Sequence, residues 1–257
     1  PLLLATLAIL VVTGGIGFIV LQDLERRLRG KRRRLSYHSK LVLSATAVLI
    51  SAGAAAFYLL ERRNAFLGMS GLEGAVNALF QSITPRTAGF NAVPMDDLRA
   101  SSKLLTMILM FIGGAPGSIA GGIKVSTALI VLMVMVRRPD EYGEINVFKR
   151  RLDTATTNRA VVYFLKALLL VVLAVGVLSL VEGGRGSDFG DLVFETVSAF
   201  GTVGLSLGAT PELGPWGKLV IIVTMFAGRV GLIAFAFPRV LSRVRSVVYP
   251  QGDVLLG

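Results

Sequence analysis

Thr202-Val203-Gly204-Leu205-Ser206 follows a short apolar segment, Phe189–Phe200, that is too brief to cross a bilayer. A similar stretch, Thr87-Ala88-Gly89-Phe90-Asn91, lies 115 positions earlier and also follows a short segment, Ala75–Thr84. In each, a Thr leads into a Gly with one small or β-branched residue between. An irregular loop of this kind in a membrane-like chain can line up backbone carbonyls for a dehydrated cation. Taken alone, either Thr-x-Gly could equally be a Gly turn joining two helices. The surrounding chain decides between them.

Composition points to the membrane. The 257 residues are 53% hydrophobic and 17% charged, with mean hydropathy +0.70, whereas a soluble domain carries about 25% charged residues. The chain starts inside an apolar run, Pro1-Leu2-Leu3-Leu4, without Met. A truncated N-terminus is therefore expected rather than a signal peptide, which would open on a basic region. There is no Cys, so thiolate metal sites, disulfides and cysteine nucleophiles are excluded. His38 is the only histidine and sits at a loop–helix border, which argues against histidine-based catalysis or a multi-His metal site.

Apolar runs long enough to span cover about Leu2–Leu21, Leu41–Leu60, Leu104–Val136 and Ala160–Val181, with a fifth over Leu219–Phe237. The third is too long for one straight helix and is interrupted by Gly113-Gly114-Ala115-Pro116-Gly117-Ser118-Ile119-Ala120-Gly121-Gly122. The net charge of +11 is concentrated beside these runs: Arg26 to Arg34, Arg137 to Arg159, and Arg239 to Arg245. Positive-inside orientation places those three segments in the cytoplasm. The path then closes only if Ala75–Asn91 and Phe189–Ser206 each enter and return on one side. Such flanks beside apolar spans are read as topology, not as a nucleic-acid surface.

An internal repeat supports the same path. At an offset of 115, Thr87 aligns with Thr202, Gly89 with Gly204, Lys103 with Lys218 and Gly113 with Gly228. Each unit reads span, short re-entrant helix, Thr-x-Gly loop, span. Parallel repeats place equivalent loops around a shared axis, and irregular backbone at membrane depth survives only inside protein or against water. The expected fold class is an all-α membrane protein. Its divisions are the last span of a truncated preceding unit (1–25), a basic cytoplasmic loop (26–40), a unit with a broken second span (41–136), a second cytoplasmic loop (137–159), a further unit (160–238) and a cytoplasmic tail (239–257).

Four segments carry a resemblance to a known family: Ser82-Ile83-Thr84-Pro85-Arg86-Thr87-Ala88-Gly89-Phe90-Asn91; Pro116-Gly117-Ser118-Ile119-Ala120-Gly121-Gly122-Ile123-Lys124; Glu195-Thr196-Val197-Ser198-Ala199-Phe200-Gly201-Thr202-Val203-Gly204-Leu205-Ser206; and Gly228-Arg229-Val230-Gly231. With the closing Tyr249-Pro250, the chain resembles the potassium-transporting subunits of the Trk/Ktr/HKT superfamily, most closely the bacterial Ktr type. That resemblance implies four span–pore-helix–span units around a pseudo-fourfold pore, of which this chain would hold the last span of the second and all of the third and fourth. It implies potassium uptake across the bacterial plasma membrane, sodium-dependent or not, with no enzymatic step and no bound cofactor beyond the transported K+ or Na+. It also implies a homodimer, embedded in lipid, on a cytoplasmic ring of RCK-type nucleotide-binding subunits. The segments 137–159 and 239–257 are the expected docking surfaces.

Specific residues follow. The selectivity filter is expected from Thr87, Ala88, Gly89, Phe90 and Asn91 with Thr202, Val203, Gly204, Leu205 and Ser206, mainly through the carbonyls of 87–90 and 202–205. One Gly per loop implies looser selectivity than the Gly-Tyr-Gly of ordinary potassium channels. Gly113, Gly114, Pro116, Gly117, Ser118, Gly121, Gly122 and Lys124 would form a gate beneath it, as the family's corresponding loop does. A packing kink is the alternative reading, while Gly122-Ile123-Lys124-Val125 lacks the Gly-Lys-Ser/Thr of a phosphate loop. Arg229, expected in mid-span, needs a cavity or partner, and the resemblance places it at the pore below the filter. Glu195 is either a hydrogen-bonding brace behind the filter or the partner of a basic side chain, the brace being favoured. Rival readings are a two-span-type potassium channel relative, which would carry one filter per chain, and a membrane enzyme or non-transporting scaffold.

Overall fold

The computed structural model describes residues 2–31, 34–136, 145–147, 150–183 and 188–231. The tail 239–257 with Tyr249-Pro250, and the basic residues Arg32, Arg33, Arg137, Arg138 and Lys149, lie outside the described residues. The helices are α1 (Leu2–Ile16), α2 (Phe18–Leu28), α3 (Tyr37–Glu61), α4 (Gly71–Ile83), α5 (Ala100–Phe111), α6 (Val125–Val136), α7 (Thr154–Glu182), α8 (Phe189–Gly201), α9 (Ala209–Glu212) and α10 (Pro215–Val230). The fold is helical as expected, apart from one short antiparallel hairpin of β1 (Ile145–Val147) and β2 (Arg150–Leu152) between α6 and α7.

Among the described residues, α3 and α7 alone are unbroken helices long and apolar enough to cross a membrane. Their apolar residues run all round rather than along one stripe, as befits helices with lipid on one side and protein on the other. The other expected spans are interrupted. The run Leu2–Leu21 is not one straight helix: α1 and α2 meet at Gly17 with a bend of 102°. Gly17 has φ +86 and ψ 147, a combination open to glycine and costly for any residue with a Cβ. The run Leu219–Phe237 also stops early. α10 ends before Gly231, whose φ 81 and ψ 144 repeat those of Gly17. Arg229 lies in the last turn of α10; residues 232–237, the remainder of the expected span, lie outside the described residues.

The two units share a core because α5 packs against both α3 and α8. On one side Leu109 of α5 joins Phe57, Phe66 and Ala78. On the other, Met110 joins Ala167, Val171, Phe194, Val197 and Phe200. Phe111 meets Phe164 edge-on at 5.7 Å and Phe200 at 5.6 Å, tying α5, α7 and α8 together. Small residues let the backbones approach: a Cβ at Gly228 would fall 1.9 Å from the Phe200 carbonyl oxygen. No hydrophobic drive separates protein from lipid at this depth, so such close contact is what associates the helices.

A buried carboxylate ends the first span of each unit. Glu61, fully buried at the end of α3, accepts from Arg99 N (3.0 Å) and from the Ser102 hydroxyl, at the start of α5. Glu182, at the end of α7, accepts from Gly214 N (3.0 Å), at the start of α10. Arg99 and Gly214 are equivalent N-cap positions in the repeat. Each carboxylate thus satisfies an amide that its helix leaves open and sits at the positive end of that helix dipole. Glu61→Ala and Glu182→Ala are each expected to destabilise the protein by about 1–3 kcal/mol, the cost of a buried donor left unpaired. Thermal melting of the detergent-solubilised protein checks this, and melts unchanged from wild type would refute the clamp.

Candidate functional site

The two Thr-x-Gly loops begin where the short helices α4 and α8 end. Ser70 starts α4 with a reciprocal capping box, accepting from Glu73 N while Glu73 accepts from Ser70 N, and Asp188 caps α8 through Gly190 N. Both loops then adopt the same uncommon backbone. Thr87 and Gly89 have φ 65 and 72, and Thr202 and Gly204 have φ 51 and 94. A left-handed β-branched residue costs roughly 1–2 kcal/mol and persists only where its surroundings hold it. Here Thr202 N donates to Ala199 O and Val203 N to Ser198 O (3.0 and 2.9 Å), while Ala88 N donates to Thr84 O (3.1 Å).

The loops lie against each other. The Thr87 hydroxyl donates to Gly201 O (3.2 Å), and a Cβ at Gly89 would stand 2.3 Å from Val203 O. Residues 87–90 and 202–205 are thus brought together, one loop's glycine against the other's carbonyl. Phe90 O also accepts from the Thr84 hydroxyl (2.7 Å), while Phe90, Asn91 and Gly204 are exposed.

The second loop is anchored from behind by Glu195, which is buried on α8. Its carboxylate accepts from the hydroxyls of Ser206 and Thr210 and from Leu207 N (3.0 Å). These donors are hydroxyls and an amide, not a basic side chain. They surround a recess of about 270 Å³ lined by Glu195, Thr202, Val203, Gly204 and Ser206 among others.

Between α5 and α6 the chain makes a pinched excursion over residues 112–124. Gly113 N donates to Ile123 O (2.8 Å), Ile123 N to Phe111 O (3.1 Å) and Val125 N to Gly114 O (2.9 Å), so both ends of the break pair with each other. A Cβ at Gly113 would fall 1.9 Å from Gly121 O, which is why the neck is built of glycine. Ser118 turns inward, donating to Ala115 O (2.6 Å) and accepting from Ala120 N (3.3 Å), and Lys124 donates to Ala120 O. These polar groups satisfy the loop itself. The loop reaches two neighbours: a Cβ at Gly121 would meet the Thr202 hydroxyl at 2.4 Å, and on another side Ala115 N donates to Gly15 O (2.8 Å) while Phe18 N donates to Gly117 O (3.2 Å). Arg229 donates to Ile119 O.

Arg86 has no role in the sequence reading, although it lies within a quoted motif. Its side chain is 7% exposed, its Nη2 stands 3.5 Å from both Gly113 O and the Thr46 hydroxyl, and its Nε has no partner among the described residues. A charge within a re-entrant segment was the available signal. Arg86, Lys124 and Arg229 all aim donors at carbonyls of one excursion.

A family model described as "TrkH: Cation transport protein" matches residues 1–252. The Ktr system potassium uptake protein B of Bacillus subtilis (strain 168) is 36% identical over 261 residues, covering 100% of this chain and 57% of its own length. The potassium/sodium uptake protein NtpJ of Enterococcus hirae is 38% identical over 260 residues, covering 99% of this chain and 57% of its own length. The crystal structure of the potassium transporter TrkH from Vibrio parahaemolyticus superposes with a TM-score of 0.74 at 21% identity, covering 90% of this chain and 51% of that one. The chain thus spans little more than half the length of the relatives it matches.

The neck of the excursion offers a direct check. Gly113→Ala is expected to lower stability by about 1–3 kcal/mol through overpacking, whereas Gly176→Ala, with open space around it in α7, is expected to be neutral or slightly stabilising. Paired thermal melts read the difference; equal melts would mean the neck can yield.

Proposed function

We propose, because this chain belongs to the TrkH family of cation transport proteins, that it supplies two units of a potassium-uptake pathway in a bacterial plasma membrane, with sodium as a candidate coupling ion. The observation that carries this reading is the pair of loops side by side with the same backbone signs at Thr and Gly. The α4 and α8 helices end at these loops, and a helix C-terminus favours a cation. The filter is assigned to Thr87, Ala88, Gly89, Phe90 and Asn91 with Thr202, Val203, Gly204, Leu205 and Ser206, Glu195 acting as its brace. The pairing of Thr87 with Gly201 O, set beside a Thr202 hydroxyl that is buried without a partner among the described residues, supports a ring of more than two loops. Two unlike filters in one chain argue against a channel with one filter per subunit.

The excursion over Gly113, Gly114, Pro116, Gly117, Ser118, Gly121, Gly122 and Lys124 is assigned as the gate, since Gly121 packs under Thr202. Arg229 holds it through Ile119 O and places a positive charge beside the cation path. The basic segments are assigned to the cytoplasm. A homodimer on an RCK-type ring, docked through 137–159 and 239–257, fits a relative named as part of a Ktr system.

The test is potassium uptake by the complete gene in a strain lacking its own uptake systems. Gly204→Ser, at a φ of 94, is expected to cut uptake by about tenfold or shift preference toward sodium, because a strained carbonyl row loses its alignment. Arg229→Ala is expected to raise flux several-fold by removing a barrier charge worth on the order of 1–2 kcal/mol. Unchanged uptake and ion preference in Gly204→Ser would end the filter assignment, and an Arg229→Ala rate equal to wild type would end the barrier role.

A further inference from the structure

The helix α2 is the largest element that the pathway leaves unexplained. The bend of 102° at Gly17 means that with α1 along the membrane normal, α2 runs close to the membrane plane. Its inner face is fixed: Val20 is fully buried, and the buried Asp23 carboxylate accepts from Ser36 N (2.6 Å), just before α3. Its outer face is divided in two. Leu21, Leu24 and Leu28 stand at helical spacing along one strip, exposed by 40, 37 and 80%. Arg26 and Arg27 are exposed away from that strip, Arg29 is exposed and paired with Glu25 (2.7 Å), and Lys31 and Arg34 follow. An apolar strip beside arginines on an in-plane helix is the pattern that seats at the boundary of headgroups and acyl chains.

The start of α2 is also joined to the excursion by backbone alone. Phe18 N donates to Gly117 O, Ala115 N donates to Gly15 O, and the Phe18 ring covers Gly117, where a Cβ would meet it at 2.8 Å. Backbone pairs on both sides of the elbow leave little play, so a change in the depth or tilt of α2 moves the excursion with it.

We propose that α2 reads the charge of the membrane surface. The strip Leu21, Leu24 and Leu28 seats in the cytoplasmic headgroup boundary, Arg26, Arg27 and Arg29 bind anionic phospholipid, and the Gly17 elbow passes the position of α2 to the gate. This rests on the reading of the basic segments as cytoplasmic and of the excursion as a gate. Charge favours lipid over a second copy of the chain. Residues 18–34 hold seven cations against two acids, Asp23 and Glu25, a net charge of +5, so two copies facing each other would repel, whereas an anionic leaflet attracts each of them.

The complete protein is reconstituted in phosphatidylcholine vesicles with and without phosphatidylglycerol, and potassium flux is compared with that of an Arg26→Gln, Arg27→Gln, Arg29→Gln triple variant. Wild-type flux is expected to change by about threefold on adding phosphatidylglycerol, less so at high salt. The variant is expected to conduct equally in both lipids. A wild type indifferent to phosphatidylglycerol, or a variant that responds as strongly as wild type, overturns the proposal while transport itself stands. Failure to conduct in any vesicle counts instead against the transport reading. A measurement independent of flux then decides: a fluorophore on Leu28→Cys should be quenched by brominated lipid. Absence of quenching, or disulfide cross-linking of Leu28→Cys to a second copy, overturns the proposal as well.

Discussion

An amide or carbonyl that leaves a helix at bilayer depth has no water to bind and must find a partner within the protein. That constraint organises this chain around the excursion between α5 and α6. Its ends pair through Gly113, Ile123 and Val125, its body pairs with the Gly15–Phe18 elbow, and its far side lies under Thr202. The same stretch that breaks one span therefore completes the hydrogen bonding of another, and the elbow of α1 and α2 is tolerable because Gly117 O and Ala115 N meet it. Without the excursion, Gly15 O and Phe18 N at the elbow would lose these partners.

The charges within the membrane-embedded part obey the same logic. Arg86, Lys124 and Arg229 are aimed at carbonyls of residues 113, 120 and 119. Carbonyl partners keep a guanidinium or ammonium hydrogen-bonded while leaving its charge unneutralised. For a pathway that carries monovalent cations, positive charge near the excursion raises the barrier to passage, and carbonyls that turn toward these donors are unavailable to the ion.

Much of this was legible in the residues. The Thr-x-Gly pair, the glycine break and the constant offset marked the loops and their neighbour, and the helical class followed from apolar runs and charge placement. Other features were not. Gly17 closes Gly14-Gly15-Ile16-Gly17 within an apolar run, and small residues are as much at home at close helix contacts as at breaks, so the run did not single out the elbow; Gly231, which ends α10, was quoted as part of a motif and not as a stop. Arg229 stands in the last turn of α10. Glu61 and Glu182 carry no sequence mark of their clamps, because the amides they accept from lie far along the chain at Arg99 and Gly214. The left-handed Thr87 and Thr202 were also invisible: threonine rarely takes that conformation, and hydrogen bonds within each turn together with the packing of one loop on the other hold it there.

The two carboxylate clamps separate what must be conserved in space from what is free in length. Glu61 and Arg99 are 38 positions apart, whereas Glu182 and Gly214 are 32 apart. Yet from the short helices' loops onward the two units run in step. Each clamp closes its hairpin like a buckle, and the six residues of difference lie within the buckled segment: three between the carboxylate and the cap of the short helix (61 to 70 against 182 to 188), and three between that cap and the left-handed Thr (70 to 87 against 188 to 202). The clamp thus brings the two ends of a hairpin to one spacing whatever length of chain runs between them.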